Sequence, residues 1–131
     1  MTGVRFTMTT LVVPDYDAAI AFFVGGLGFD LIEDTDMGAG KRWVVVSGDQ
    51  GGRLLLAKAS NDAQSAVIGH QTGGRVGFFV HTDDFAGTHA RLVDAGATFE
   101  EQPRHERFGT VAVFSDPFGN RWDLIEPKEP A

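Results

Sequence analysis

Residues 114–126, FSDPFGNRWDLIE, place a turn between two apolar stretches. The turn contains Pro117 and Gly119, residue types that are common where a chain reverses direction. Strands are therefore expected at Thr110–Ser115 and at Asn120–Glu126. These two strands form the end of a longer pattern that occurs twice in the chain.

The first half of the chain contains an earlier copy of this pattern. Val44-Val45-Val46 precedes a glycine-rich turn that ends at Gly52. We match these valines with Val111-Ala112-Val113, and Gly52 with Gly119, in a register that holds to within about two residues. A repeat near half the chain length predicts two copies of one unit, which pack together because neither can bury its sheet alone.

The first unit is predicted to open with a strand and a helix. Residues 5–13 have the Val, Thr and Phe content of a strand, and Pro14-Asp15 ends it and supplies a helix N-cap. A glycine cluster at residues 25–28 then stops the helix. The apolar residues that define one helix face are Tyr16, Ile20, Phe23 and Leu27.

The second unit repeats this order. A strand is expected at Arg75–Thr82, Asp83 or Asp84 caps the next helix, and Gly96 ends it. The helix face contains Phe85, His89 and Leu92. The remaining strands are predicted at Asp30–Thr35, Arg42–Ser47 and Arg53–Lys58 in the first unit and at Thr98–Gln102, Thr110–Ser115 and Asn120–Glu126 in the second.

The predicted fold class is therefore α+β, with two tandem βαβββ modules. Module 1 covers about residues 4–58, a small and polar linker about 59–74, and module 2 about 75–127. With 131 residues, 43% of them hydrophobic, the chain is expected to form one domain over residues 1–131.

Composition excludes several classes of function. The sequence has no cysteine, which rules out disulfides and thiolate chemistry. Its net charge is -7 and its eleven Lys and Arg residues are scattered, so nucleic acid is not an expected partner. The apolar run at Leu11–Val13 is too short for a signal peptide or a membrane span. A cytoplasmic protein without membrane contact is expected.

Four stretches together resemble the opening and closing signatures of the vicinal oxygen chelate superfamily of glyoxalases, bleomycin-resistance proteins and dioxygenases. They are LVVPDY at residues 11–16, Phe22-Phe23, LGF at residues 27–29 and the closing segment at residues 114–126. With the internal repeat, the resemblance covers nearly the whole chain. It implies curved mixed sheets around a cavity and a homodimer. Known members include metal-dependent lyases, isomerases and dioxygenases, and metal-free proteins that sequester a drug.

In the metal-dependent members, a cation held by His and Glu binds two adjacent substrate oxygens and stabilises an enediolate. By the resemblance, the four ligand positions fall at Met8, Leu56, Gly77 and Asp123. Only Asp123 is a good ligand, and a catalytic divalent ion in enzymes of this type normally needs at least three protein ligands. No cofactor is therefore expected at the usual site; a divalent metal at a displaced site is the alternative.

Four residues are candidates for catalysis: His81, Asp123, His105 and Glu106. His81 shares strand parity with Gly77 and could act as a base or ligand in the cavity, or lie half exposed at a strand end. His105-Glu106 lie in the predicted loop 102–109, where they could position a polar substrate or form a solvated turn. Asp123 could be a vestigial metal ligand, a general base or a hydrogen-bond acceptor, and burial in a cavity would raise its pKa.

Seven residues are predicted to contact a ligand, because strand aromatics can line a pocket for a flat molecule and small residues leave room for it. They are Met8, Trp43, Leu56, Gly77, Phe79, Phe108 and Trp122. The leading hypothesis is a protein that binds a small organic molecule without a catalytic metal, and the acidic balance suits a cationic ligand. The alternatives are a glyoxalase-like lyase, isomerase or dioxygenase with a displaced or incomplete metal site, and a protein-interaction module.

Overall fold

The computed structural model describes residues 3–129. The ends of the predicted domain, residues 1–2 and 130–131, lie outside the described residues. The chain divides into two compact units, the first ending at Ser65 and the second beginning at Ala66. The fold is α+β, as predicted, with two mixed sheets. Of the helices in residues 3–129, none is long and apolar enough to cross a membrane.

Unit 1 forms the four-stranded sheet β1-β4-β3-β2. Its edge strand β1 runs parallel to β4, whereas the β2–β3 and β3–β4 pairs are antiparallel. The elements are β1 (Met8–Val13), α1 (Tyr16–Ile20), β2 (Asp30–Gly38), β3 (Lys41–Ser47) and β4 (Arg53–Lys58). The predicted βαβββ order is therefore present.

The first helix begins as predicted and changes its pitch before it ends. The Asp15 carboxylate accepts a hydrogen bond from the Ala18 N–H at 2.8 Å, which is an N-cap. A π-helical stretch, Ala21–Gly26, continues α1, and the Leu27 N–H donates to the Phe22 carbonyl at 3.0 Å. The wide turn coincides with Gly25-Gly26, whose low helix propensity weakens the regular ladder.

The helix covers one face of the unit 1 sheet. Leu11, Leu56 and Val44 lie side by side across β1, β4 and β3, and all three are fully buried. Phe23, at the helix end, is also fully buried. Because side chains alternate along a strand, Met8, Val45 and Leu55 belong to the other face, which we call the helix-free face.

The predicted linker at residues 59–74 is not structureless, because it contains α2 (Asp62–Val67). The Asn61 side chain caps this helix by accepting from the Gln64 N–H at 2.8 Å. Past the helix, the chain packs within unit 2 against the turn between its last two strands. Gly69 lies so close to this turn that an added Cβ would collide with the Phe118 carbonyl oxygen.

Unit 2 forms the sheet β5-β9-β8-β6, and a further strand, β7, also pairs with β8. Strand β5 runs parallel to β9, and the other pairs are antiparallel. The elements are β5 (Phe78–His81), α3 (Phe85–Asp94), β6 (Thr98–Phe99), β7 (Arg104–Glu106), β8 (Gly109–Ser115) and β9 (Arg121–Pro127).

Glu101 bridges a break in the outer strand of unit 2. The predicted strand Thr98–Gln102 ends at Phe99, and the chain returns to β8 as β7. Between them, the Glu101 carboxylate accepts from the Val113 N–H at 2.8 Å and so replaces a strand carbonyl. The prediction of a loop at residues 102–109 is therefore wrong in part, because Arg104–Glu106 are paired as a strand.

Aromatic rings fill the helix side of the unit 2 sheet. Trp122 is 2% exposed and stacks on Phe78 and Phe114, with centroid distances of 4.6 and 6.0 Å. Its indole N–H donates to the buried Asp116 carboxylate at 3.0 Å. Asp116 also accepts from the Phe118 and Asn120 backbone N–H groups and from the Asn120 side chain, and so holds the 116–120 turn together.

Candidate functional site

The helix-free face of unit 2 is centred on Asp123 of β9. Strand register places Phe79 of β5 on one side of Asp123 and Val113 of β8 on the other. Neighbouring strands lie about 4.8 Å apart, so these three side chains adjoin one another. Phe79 is 63% exposed, which leaves an aromatic surface beside a carboxylate.

One oxygen of Asp123 is buried without a partner. Within residues 3–129, no donor lies within hydrogen-bonding distance of Oδ1. Burial raises the pKa of Asp123, and the carboxylate of Glu101 adds to this, whereas Arg104 and Arg121 oppose it. An unpaired buried carboxylate oxygen is costly, and such groups are concentrated at functional sites.

Two arginines on the same unit are already paired. Arg121 donates to Glu100 at 2.8 and 2.9 Å and to the Gly74 carbonyl at 3.0 Å. Arg104 donates to Glu101 at 2.8 Å and to Glu106 at 2.9 Å. These hydrogen bonds hold the pKa values of Glu100 and Glu101 below their ordinary range. The arginines therefore neutralise other carboxylates and leave Asp123 without a direct cation.

The register of the two sheets corrects one predicted ligand position. In unit 1, Met8 of β1 pairs with Arg53 of β4. In unit 2, Gly77 lies opposite Arg121 of β9 and donates its N–H to the Arg121 carbonyl, so Arg53 and Arg121 are equivalent. Two residues further along each strand, Leu55 is therefore the counterpart of Asp123. The placement of Leu56 at a ligand position is wrong, because its side chain faces the helix and is fully buried.

The space beside Gly77 is filled. A Cβ at Gly77 would collide with the Thr72 side chain, which is fixed by a 2.6 Å hydrogen bond from its hydroxyl to the Arg75 carbonyl. The prediction that Gly77 opens room for an organic molecule is therefore wrong. A longer side chain at this position would have to displace Thr72.

These residues do not fit a divalent cation at the four family positions. Met8 and Leu55 offer no oxygen or nitrogen ligand in unit 1, and unit 2 offers only Asp123 at these positions. In the described part of the chain, no three His, Asp or Glu side chains come together in a way that could hold a metal ion. Carboxylate and imidazole ligands in sets of three or more are what such ions need in catalytic sites.

The structure separates the candidate catalytic residues. His81 pairs with Ile125 on β9, two residues beyond Asp123, so it lies on the helix-free face at the exposed end of β5. His105 pairs with Thr110 and points to the opposite face, where its Nδ1 lies 3.3 Å from the Thr110 hydroxyl. The hypothesis that His105 joins Asp123 in one site is therefore wrong. Glu106 lies at the sheet edge and accepts from Arg104.

The remaining predicted ligand contacts also divide between the faces. Trp122 belongs to the core, so its assignment as a ligand contact is wrong. Phe108 is 57% exposed in the turn between β7 and β8. Trp43 and Met8 are half-buried and share the helix-free face of unit 1. Phe79 alone of the predicted aromatic contacts stands directly beside Asp123.

Sequence reasoning missed Thr72, Glu101 and Arg104. Thr72 lay in the predicted linker, and its contact with Gly77 depends on how that segment folds back. Glu101 and Arg104 lay in or beside the predicted loop. The charge pattern at residues 100–106, EEQPRHE, was the available signal, since Arg104 and Glu106 are spaced by two, as on one face of a strand.

A concavity about 480 Å³ in volume lies at the outer edge of unit 2. His89 stacks on Phe99 there, with 3.7 Å between ring centroids. Its acidic groups, Glu100 and Glu101, are already hydrogen-bonded to arginines. Its remaining lining residues are Gln102 and Pro103. The Asp123 region is the stronger candidate because it holds the unpaired oxygen.

Known proteins resemble this chain over most of its length. An uncharacterised protein of Shewanella frigidimarina is 52% identical over 119 residues, which are 88% of each chain. The crystal structure of UcmS2 is 29% identical, with a TM-score of 0.76, and the match covers 95% of this chain and 99% of that one. TnmS3, an antibiotic binding protein from Streptomyces sp. CB03234, is 28% identical with a TM-score of 0.72, over 98% of this chain and 100% of that one.

A family model also matches the chain directly. It describes the Glyoxalase/Bleomycin resistance protein/Dioxygenase superfamily and covers residues 5–124. This range contains both sheets up to the middle of β9, together with all four family ligand positions. The chain therefore belongs to the Glyoxalase/Bleomycin resistance protein/Dioxygenase superfamily.

Proposed function

We propose that this protein binds a small organic molecule at the helix-free face around Asp123, without the divalent cation used by enzymes of its family. The proposal is supported by the residue types at the positions where the family resemblance implies metal ligands: Met8, Leu55 and Gly77 have no oxygen or nitrogen atom in their side chains. Phe79 and Asp123 supply what a binding site requires instead, an apolar surface with a few convergent polar groups. We further propose that the protein acts as a cytoplasmic homodimer.

The similarity to TnmS3 supports this proposal. That protein is described as antibiotic binding, and it matches this chain over nearly its whole length. Sequestration of a small molecule needs affinity and no reaction, so an incomplete metal site does not impair it. The ligand of this protein is not assumed to be that of TnmS3.

The first test is elemental analysis of protein purified without chelators or metal-affinity steps, combined with native mass spectrometry. We expect metal far below one ion per chain, the mass of a dimer and a retained organic molecule. Near-stoichiometric Zn, Ni, Mn or Fe would overturn the proposal. A metal at that level would instead favour the lyase, isomerase or dioxygenase alternative.

A second candidate is catalysis at Asp123 without the family metal. The observation that favours it is the buried, unpaired Oδ1 of Asp123. Burial raises the pKa of this carboxyl, which suits a group that accepts and returns protons. An enzyme would convert a bound molecule and lose turnover in Asp123→Ala, whereas a binding protein would return its ligand unchanged. Recovery of a chemically altered ligand after incubation would decide for the enzyme.

A further inference from the structure

We infer that the ligand is a planar aromatic cation whose N–H group donates to Asp123 while its ring stacks on Phe79. This inference rests on the proposed function and names the chemical class that the site would accept. It depends on three independent features of unit 2: the unpaired oxygen, the exposed ring and the local balance of charge.

The unpaired oxygen defines the polar group of the ligand. Asp123 Oδ1 lacks a donor among residues 3–129, and an ionised carboxylate can only accept hydrogen bonds. The Asp123 side chain as a whole is half-buried, so a ligand donor would reach the carboxylate through its exposed part. The matching ligand group is therefore an N–H or O–H donor, and a charged N–H forms the stronger bond.

The exposed ring of Phe79 indicates that the apolar part of the ligand is a flat aromatic ring. Phe79 is directly opposite Asp123 in the strand pairing and keeps 63% of its surface exposed. Its neighbour in sequence, Phe78, is instead stacked on Trp122 in the core. A flat ring placed on Phe79 would bury aromatic surface and bring its edge to the carboxylate next to it.

The charge balance selects a cation over a neutral donor. The four carboxylates on and beside this face are those of Glu100, Glu101, Glu106 and Asp123, and the two guanidiniums are those of Arg104 and Arg121. Both guanidiniums are engaged by the glutamates, so these groups carry an excess of two negative charges. A cation is attracted to this region and an anion is repelled.

Two dyes of similar shape and opposite charge test the inference. Proflavine is a planar tricyclic cation, and anthracene carboxylate is a planar tricyclic anion. Fluorescence titration of the full chain should show saturable binding of proflavine and much weaker binding of the anion. Asp123→Asn should weaken proflavine binding about tenfold or more, because a charge-assisted hydrogen bond is lost. Phe79→Ala should weaken it about fivefold through lost stacking.

Asp94→Asn is the matched control, since it removes the same charge from an exposed position at the end of α3. It should leave proflavine affinity unchanged, and circular dichroism should show that all variants are folded. Equal binding of both dyes, or no effect of Asp123→Asn, would overturn the inference while leaving small-molecule binding in place. If neither dye binds, the inference fails, and a retained molecule in native mass spectrometry decides separately whether the proposed function stands.

Discussion

The helix-free faces of the two units differ at equivalent positions. Unit 1 has Leu55 in the middle of β4, and unit 2 has Asp123 at the same place in β9. Both are flanked by a valine, Val45 in one unit and Val113 in the other. Two copies of one architecture therefore carry opposite side-chain chemistry at the same position of this face.

The helix sides of the two units are much more alike. Phe23 and Leu92 occupy equivalent helix positions, and both are completely buried. The strands beneath them present apolar side chains such as Leu56 and Leu124, also fully buried. Close packing against the helix therefore constrains this side of both sheets in the same way.

The largest expected effect is on these shared cores. Phe23→Ala and Leu92→Ala should each lower the free energy of unfolding by about 3–5 kcal/mol, because each leaves a cavity in a fully packed layer. Urea unfolding followed by circular dichroism measures this. Val93→Ala, at a largely exposed neighbouring position, is the control and should cost less than about 0.5 kcal/mol. Similar losses for the buried and exposed variants would contradict the assignment of the core.

The 116–120 turn should give the next largest effect. Asp116→Ala leaves the buried N–H donors of Asn120 and Trp122 without an acceptor. We expect a loss of about 3 kcal/mol in the free energy of unfolding. The equivalent turn of unit 1, at Gly48–Gly52, has no such carboxylate. Asp49→Ala in that turn is exposed and should have almost no effect. A comparable loss in both turns, measured by urea unfolding, would remove this difference between the units.

Exchange of the central residues tests the comparison of the helix-free faces directly. Leu55→Asp should destabilise the protein by about 2 kcal/mol, because a carboxylate enters a half-buried apolar position. Asp123→Leu should stabilise it by about 1 kcal/mol at neutral pH, since the unpaired oxygen is removed. Guanidinium unfolding midpoints of both variants provide the measurement. Destabilisation by Asp123→Leu would mean that Asp123 supports the fold.

The benefit of Asp123→Leu should depend on pH. The pKa of Asp123 is raised in the folded protein above its ordinary 3.8, so ionisation costs more in the folded state than in the unfolded chain. In the wild-type protein this free-energy cost is absent below pH 3.8. It grows as the pH rises through the raised pKa and is complete above it. The stability difference between variant and wild type should therefore grow from acid to neutral pH. A difference that does not change with pH would contradict the raised pKa.

The smallest expected effect concerns the broken outer strand of unit 2. Glu101→Ala removes the acceptor of the Val113 N–H and should cost about 1 kcal/mol. Hydrogen exchange at the Val113 amide should accelerate, with little change elsewhere in β8. Glu106→Ala removes another partner of Arg104 at a more exposed site, and it should leave the Val113 amide protected. Unchanged exchange in Glu101→Ala would show that the carboxylate does not replace the missing strand.

Several features of this protein could be predicted from its sequence because they depend on local patterns. Turn-forming glycine and proline residues predicted four of the eight strands to within one residue, and the other four miss one end by three residues. Asp15 was predicted as a helix cap, and of the two candidates Asp83 and Asp84 the cap is Asp84. The repeat and the 114–126 segment identified the family. The one-residue error at Leu56 came from matching Gly52 with Gly119, because a glycine-rich turn does not fix register by itself.

The tertiary structure decided what the candidate site contains. Side chains alternate with a period of two, so a shift of one residue moves a position from the helix-free face to the core, as it did for Leu56. Trp122 faces the core because it is the immediate neighbour of Asp123 in its strand. Thr72 fills the space beside Gly77 only because residues 69–74 fold back on unit 2. The burial of Asp123 and its missing donor likewise depend on neighbouring strands. The sequence by itself thus determined the family and the repeated βαβββ order, because both depend on local patterns. Long-range packing determined α2, β7 and the chemistry of the helix-free face.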